Sequence, residues 1–180
     1  SAVFSWRSGT RPGFRAMQMA HQKGASENLL SMVKLAYNAL PQSIQFEDGT
    51  IINKPKDKAK NKDELWLVYD DAGIRDSRIL TEEATAGTKA AISFALNAIH
   101  YSEVGKSEFD DGKAIGTSMS TLSPDGIAIA EGTAEGAYGW LYETWQESEY
   151  EFNEYLKAKA SKPWLRYDGW IPIFIPWFMH

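Results

Sequence analysis

Apolar residues along this chain come in short runs separated by polar turns, and their period changes from one run to the next. Phe14-Arg15-Ala16-Met17-Gln18-Met19-Ala20 has the length and continuity of a strand, ended by His21 and Gly24. Leu29, Leu30, Val33, Ala36, Tyr37 and Leu40 recur at helical spacing, which predicts a helix with Ser26 as N-cap, Glu27 in its first turn and Pro41 as its stop. Asp48-Gly49, between Phe46 and Ile52, predicts a turn joining two short strands. Further strands are expected over Glu64 to Tyr69, around Ser77 to Thr81 and in the apolar run ending at Tyr101. A short helix from Lys113 to Leu122, a turn at Ser123-Pro124-Asp125-Gly126 and a buried strand at Ile127 to Ala130 follow. Tyr138 to Ala160 reads as a long helix with Trp140, Leu141, Trp145, Phe152 and Leu156 as its apolar contacts. Trp170 to Phe178 reads as a strand near an edge, because its prolines cannot donate to a ladder. Residues 1–13, mixing Arg, Gly, Ser and Pro, read as an irregular lead-in, and residues 14–180 as one domain.

Short apolar strands alternating with helices predict an α/β fold with a mostly parallel sheet flanked by helices. With 180 residues, 43% of them hydrophobic, the chain is large enough to bury one sizeable core. It contains no Cys, which excludes disulfides and thiolate metal sites, and His21, His100 and His180 have no ligand spacing. No apolar stretch approaches the roughly 20 residues of a membrane span, and a cytoplasmic setting is expected. A net charge of −5 argues against uniform coating by nucleic acid but leaves room for a local basic contact. Lys54, Lys56, Lys58, Lys60 and Lys62 form the basic cluster, which reads either as a solvated loop or as a contact to a phosphate backbone.

Ligands of open parallel sheets bind beyond the carboxyl ends of the strands. Two predicted strand ends carry chemistry there, Ser102-Glu103 and Gly132-Thr133-Ala134. Hydrolysis of a terminal phosphate needs a carboxylate to orient or deprotonate water, an oxygen for the metal, and donors near the transferred group. Glu103 suits the first task, Ser102 the second and Thr133 with its small neighbours the third; a merely solvated Glu103 is the alternative that position alone leaves open. Gly105-Lys106-Ser107 matches the end of a phosphate-binding loop, G-x-x-x-x-G-K-S/T, but His100 stands where its first glycine belongs. The acidic stretch Glu108-Phe109-Asp110-Asp111-Gly112 after it is also a poor start for a phosphate-binding helix, so this match is read as a decoy.

In order and approximate spacing, five segments resemble the ATPase domain of the large terminase subunit of tailed bacteriophages, the motor that packages double-stranded DNA. They are Met17-Gln18-Met19-Ala20-His21 with the helix after it, Thr85-Ala86-Gly87-Thr88, Ile99-His100-Tyr101-Ser102-Glu103-Val104, the stretch from Glu131 to Gln146, and Ile171 to Phe178. The resemblance implies a partial P-loop NTPase fold lacking the Walker A strand, loop and helix, which in the family lie upstream of the strand beginning near Phe14. It makes Ser102-Glu103 the Walker B end, with Glu103 as the catalytic carboxylate and magnesium held by Ser102 and Glu103, in part through water. It makes Gly132-Thr133-Ala134 the coupling motif that contacts the nucleotide. ATP and magnesium are then cofactors of the complete parent, and the expected partners are DNA, a portal, a small terminase subunit and further copies of the motor subunit, in the host cytoplasm. The chain alone is expected to hydrolyse ATP weakly or not at all. Two departures stand out: Ser102 occupies a position often held by Asp, and Lys89-Ala90 follows Thr88 where relatives often have Arg-Gly. A non-catalytic prophage product with the same fold, or part of another P-loop ATPase such as a helicase, are the alternative readings.

Overall fold

The computed structural model describes residues 2–58, 62–70, 73–84, 95–106, 112–133 and 136–175. In chain order its elements are α1 (Ala2–Thr10), β1 (Arg15–Ala20), α2 (Lys23–Asn38), β2 (Ser43–Gln45), β3 (Ile51–Asn53), β4 (Lys56–Asp57), β5 (Glu64–Val68), β6 (Ser77–Glu83), β7 (Leu96–Ser102), α3 (Lys113–Met119), β8 (Leu122–Glu131) and α4 (Gly139–Ser161). Six strands form one sheet in the order β4-β5-β6-β1-β7-β8, and β2 pairs with β3 in a separate hairpin turning at Asp48-Gly49. The strands from β6 to β8 run parallel, while β5 and β4 add on antiparallel at one edge. This is the mostly parallel, helix-flanked sheet that the alternation of runs predicts.

Met17, Gln18 and Met19 of β1 are fully buried, so both faces of the sheet must be covered where β1 lies. On one face Phe4 of α1 and Leu30, Val33 and Tyr37 of α2 pack on Ala16, Leu65, Leu67, Ile79 and Ala98. On the other, Ala114 and Ile115 of α3 pack on Met17, Met19, Ile99 and Tyr101, with Trp140 and Leu141 at the start of α4 closing over them. Each such large side chain removed from water contributes about 1.5–3 kcal/mol. The rest of α4 stands off the core: Leu156 is exposed, Phe152 stacks locally with Tyr155 and Tyr167, and Ser148 is its buried residue.

Five expectations need correction. Residues 2–10, expected to be irregular, form α1, because burial of Phe4 outweighs the weak helix propensity of Ser and Gly. Its serines are bonded back into the fold, Ser5 to the Val33 carbonyl at 2.9 Å and Ser8 to the Ser5 carbonyl at 3.1 Å. The N-cap of α2 is Gln22, not Ser26; Ser26 is buried in the first turn, and its hydroxyl donates to the Lys23 carbonyl. Ser123 to Gly126 do not form a turn ahead of the strand but bulge within β8: Leu96 faces Leu122 and Ala98 faces Ile127, so Asn97 alone stands opposite the bulge. Within the same strand Leu122, Ala128 and Ala130 turn to the core, whereas Ile127 and Ile129 are 52% and 42% exposed, because β8 is an edge strand.

Residues 170–175 form no strand: Ile171, Ile173, Phe174 and Ile175 are exposed, and Pro172 interrupts any ladder. The Thr85 to Lys89 segment and residues 176–178 lie outside the described residues.

Candidate functional site

Strands β7 and β8 end together, with Ser102 paired opposite Glu131 in parallel register. The chain then turns sharply at Glu103, a residue with φ +59°, in the left-handed region that non-glycine residues seldom adopt. Two backbone bonds hold the turn, Val104 N–H to the Glu131 carbonyl at 3.1 Å and Lys106 N–H to the Glu103 carbonyl at 3.0 Å. The backbones touch beyond this. A Cβ on Gly132 would lie 3.0 Å from the Val104 nitrogen, and one on Gly105 would lie 2.3 Å from the Thr133 carbonyl oxygen. Both glycines are therefore explained by this close approach. The amides of Val104 and Lys106 are already bonded within the turn, so Gly105-Lys106 does not form a phosphate cradle; Ser107 lies outside the described residues.

The side chains at this end form two acid–histidine pairs. Ser102 donates to Glu131 Oε1 at 2.5 Å, and His100 Nε2 lies 3.5 Å from the same oxygen. Gln18, fully buried on β1, places Nε2 3.4 Å from His100 Nδ1. An amide donating to Nδ1 assigns the ring proton to Nε2, the nitrogen facing Glu131. The His100 ring first, then the Ser102 hydroxyl and the Glu103 amide, act against burial to hold the Glu131 carboxyl below the usual carboxylate range. In the second pair His21 Nδ1, at the end of β1, lies 2.6 Å from Glu103 Oε2. The contact does not satisfy hydrogen-bond geometry, and Nδ1 has no hydrogen-bond partner.

The structure thus brings together Ser102, Glu103, Gly132 and Thr133; Ala134 lies outside the described residues. It sets the lysines apart, at and beyond β4 on the opposite edge of the sheet. Lys54 Nζ donates to the Asn38 and Leu40 carbonyls, Lys56 pairs with Asp70, Lys58 lies over the Trp66 ring, and Lys62 stands 3.8 Å from Glu27. Lys60 lies outside the described residues.

The sequence reading missed His21, His100 and Glu131. The signal is present in the sequence: Glu131 is a strand-end acid on β8 as Glu103 is after β7, and the period-two pattern puts His100 on the same face as Ser102. Magnesium fits the chemistry of the site, because Ser102, Glu103 and Glu131 offer hard oxygen donors and magnesium keeps most of its own waters. Among the described residues no group of three His, Cys, Asp or Glu side chains forms a closed metal cage.

No family profile and no curated protein sequence matches this chain. Among solved structures it is similar to the large terminase ATPase domain of Thermus phage P74-26, at 15% identity over 78% of this chain and 55% of that one, with a TM-score of 0.47. An arginine mutant of the same domain matches at 16% identity and the same TM-score, with 56% of its length covered. The large terminase of a thermophilic bacteriophage matches at 10% identity over 89% of this chain, with a TM-score of 0.53. The chain spans about half of the ATPase domains it resembles and 34% of that complete terminase. What is shared with the complete terminase is a fold, the mostly parallel, helix-flanked sheet of a phage large terminase.

Proposed function

We propose that this chain is the part of a viral DNA-packaging ATPase that follows the phosphate-binding strand, loop and helix. The observation that carries this reading is the backbone contact between the two strand ends, where Gly105 approaches the Thr133 carbonyl and Gly132 approaches the Val104 amide. A turn holding an acid at the end of one parallel strand is thereby locked to the small-residue end of the next. Any displacement of Thr133 is transmitted to Glu103 through main chain rather than through flexible side chains.

In this reading Glu103 orients and deprotonates the attacking water, and Ser102 contributes an oxygen to the shell of the metal. Gly132, Thr133 and Ala134 follow the state of the phosphate. Bound ATP and magnesium supply the transferable phosphoryl group and the positive charge that offsets its own. Of the five lysines Lys54 is engaged at the end of α2, while Lys56, Lys58, Lys60 and Lys62 contact the DNA backbone; a portal, a small terminase subunit and further motor subunits complete the assembly in the host cytoplasm.

Without a phosphate-binding loop the 180-residue chain loses most of the positioning that accelerates the reaction, so its own turnover is weak or absent. In the complete protein Glu103→Gln lowers DNA-stimulated turnover by about 10²–10⁴-fold while nucleotide still binds. Undiminished turnover removes Glu103 from the reaction. Robust turnover by the 180-residue chain, abolished by Glu103→Gln, revives the Gly105-Lys106-Ser107 loop instead.

One observation favours a second reading, a non-catalytic interaction module: His21 already occupies the Glu103 carboxylate at 2.6 Å. Calorimetry of the complete protein with ATP and magnesium separates the two, since the module releases no heat.

A further inference from the structure

We propose that Glu131 is a magnesium-binding carboxylate of this site, supplying across the β7–β8 ladder the charge that Ser102 does not carry. This rests on the reading of the strand ends as a nucleotide site. Two parallel strands in register place paired side chains on the same face, and Ser102 and Glu131 are such a pair. The Glu131 carboxylate stands 2.5 Å from the Ser102 hydroxyl, so a negative charge sits where an aspartate on β7 would have put one.

Three further features suit Glu131 to the task. Its side chain is 51% exposed, so a hydrated cation reaches it without desolvating a buried charge. A carboxylate that binds a metal is ordinarily fixed by hydrogen bonds of its own, and here the Ser102 hydroxyl donates one, with the His100 ring 3.5 Å from the same oxygen. Behind His100 the buried Gln18 side chain aligns the ring, while its Oε1 has no partner, a polar atom left over in the row that leads to the site. Glu103, in contrast, faces His21. The two carboxylates are thus divided between tasks, Glu131 for the cation and Glu103 for water. Magnesium binds through one or two carboxylates with the remaining positions held by water and phosphate, so one glutamate and a hydroxyl suffice as the protein's share.

The test uses manganese alone as a paramagnetic probe on the whole chain, read by amide line broadening. The amides of residues 102–104 and 131–133 broaden first in the wild type. Glu131→Gln weakens that broadening at least tenfold in manganese concentration, and Glu131→Ser does the same. Ser102→Asp combined with Glu131→Ser moves the carboxylate back to β7 and restores it; the dispersion of the same spectra reports that each variant is folded. Broadening that persists in Glu131→Gln, or that centres on Glu143, Glu147 and Glu151 of α4 in the wild type, overturns the proposal. If the manganese response follows Glu131 but Glu103→Gln leaves turnover of the complete protein intact, the cation site stands and the catalytic reading of Glu103 falls.

Discussion

Gly105 lies so close to Thr133 that a Cβ added to it would stand 2.3 Å from the Thr133 carbonyl oxygen, with no flexible side chain to yield. Gly105→Ala therefore pushes the β7 turn away from the end of β8, at about 1–3 kcal/mol, the usual range for overpacking. At about 2–4 °C per kcal/mol for a chain of this size, thermal unfolding registers the loss directly. Gly132→Ala, whose Cβ would meet backbone nitrogens at 3.0 and 3.1 Å, costs less. A reversed order of the two variants contradicts the geometry of the contact.

The acid limb of stability reports on Glu131. Its carboxyl is held below its ordinary value of 4.5 in the folded chain, so the unfolded chain binds its proton more readily. The stabilisation is present above pH 4.5 and is lost as the pH falls through the lower, folded value. Glu131→Gln removes this contribution, so its melting temperature declines less between pH 5 and pH 3 than that of the wild type. The neighbouring His21–Glu103 pair is common to both proteins and cancels in the difference. With the side chain half exposed, the effect stays below about 1 kcal/mol. Parallel curves for the two proteins would show that His100 and Ser102 do not stabilise the ionised carboxylate.

Much of this fold was legible because periodicity reports burial. β1, β5, β6, β7, the apolar face of α2 and the parallel sheet follow from runs whose side chains the core absorbs. The misreadings share a cause: packing at a distance decided what local chemistry left open. Nothing near Ser5, Ser8 and Gly9 announces a helix, yet Phe4 reaches Phe14 and Leu30 across the sequence and makes one. Ile127 and Ile129 look like core residues, and only the sheet order reveals that their strand is an edge. At the site, Ser102-Glu103 and Gly132-Thr133 were readable singly as strand ends. The pairing of Ser102 with Glu131 depends on a register set by the bulge at Ser123 to Gly126, which no local motif encodes.

The lysines separate into two kinds. Lys54 Nζ lies 3.0 and 3.2 Å from the last carbonyls around α2 and 4.7 Å from the centre of the Tyr37 ring, so it closes a helix C-terminus. Lys54→Ala lowers stability by about 0.3–1 kcal/mol. Lys56 and Lys62 are more than three-quarters exposed in their ion pairs, and their alanine variants shift stability by less than about 0.5 kcal/mol. If these two contact DNA in the complete protein, each loss reduces the slope of log K against log salt by about 0.9. An unchanged slope assigns them to a solvated loop.

The exposed isoleucines of β8 locate the strand that the proposed function places upstream. The crossover from β1 through α2 to β6 moves toward the β4 edge, with its helix on the face that α1 also covers. The crossover from β7 through α3 to β8 moves the opposite way on the opposite face, and so has the same hand. A parallel strand leading through α1 into β1 with that hand must come from the β7–β8 side of β1. Those two positions are filled, which leaves the outer edge of β8. There Ile127 and Ile129 line a groove of about 260 Å³ together with Val3, Phe4 and Arg7 of α1. In the 180-residue chain, Ile127→Ser and Ile129→Ser remove half-exposed side chains and change stability by less than about 0.5 kcal/mol. If the proposed function holds, the upstream strand and its helix bury both residues in the complete protein, and each substitution there costs about 1–3 kcal/mol. Thermal unfolding of the variants in both contexts measures the difference; equally small effects in the two place the phosphate-binding strand elsewhere than beside β8.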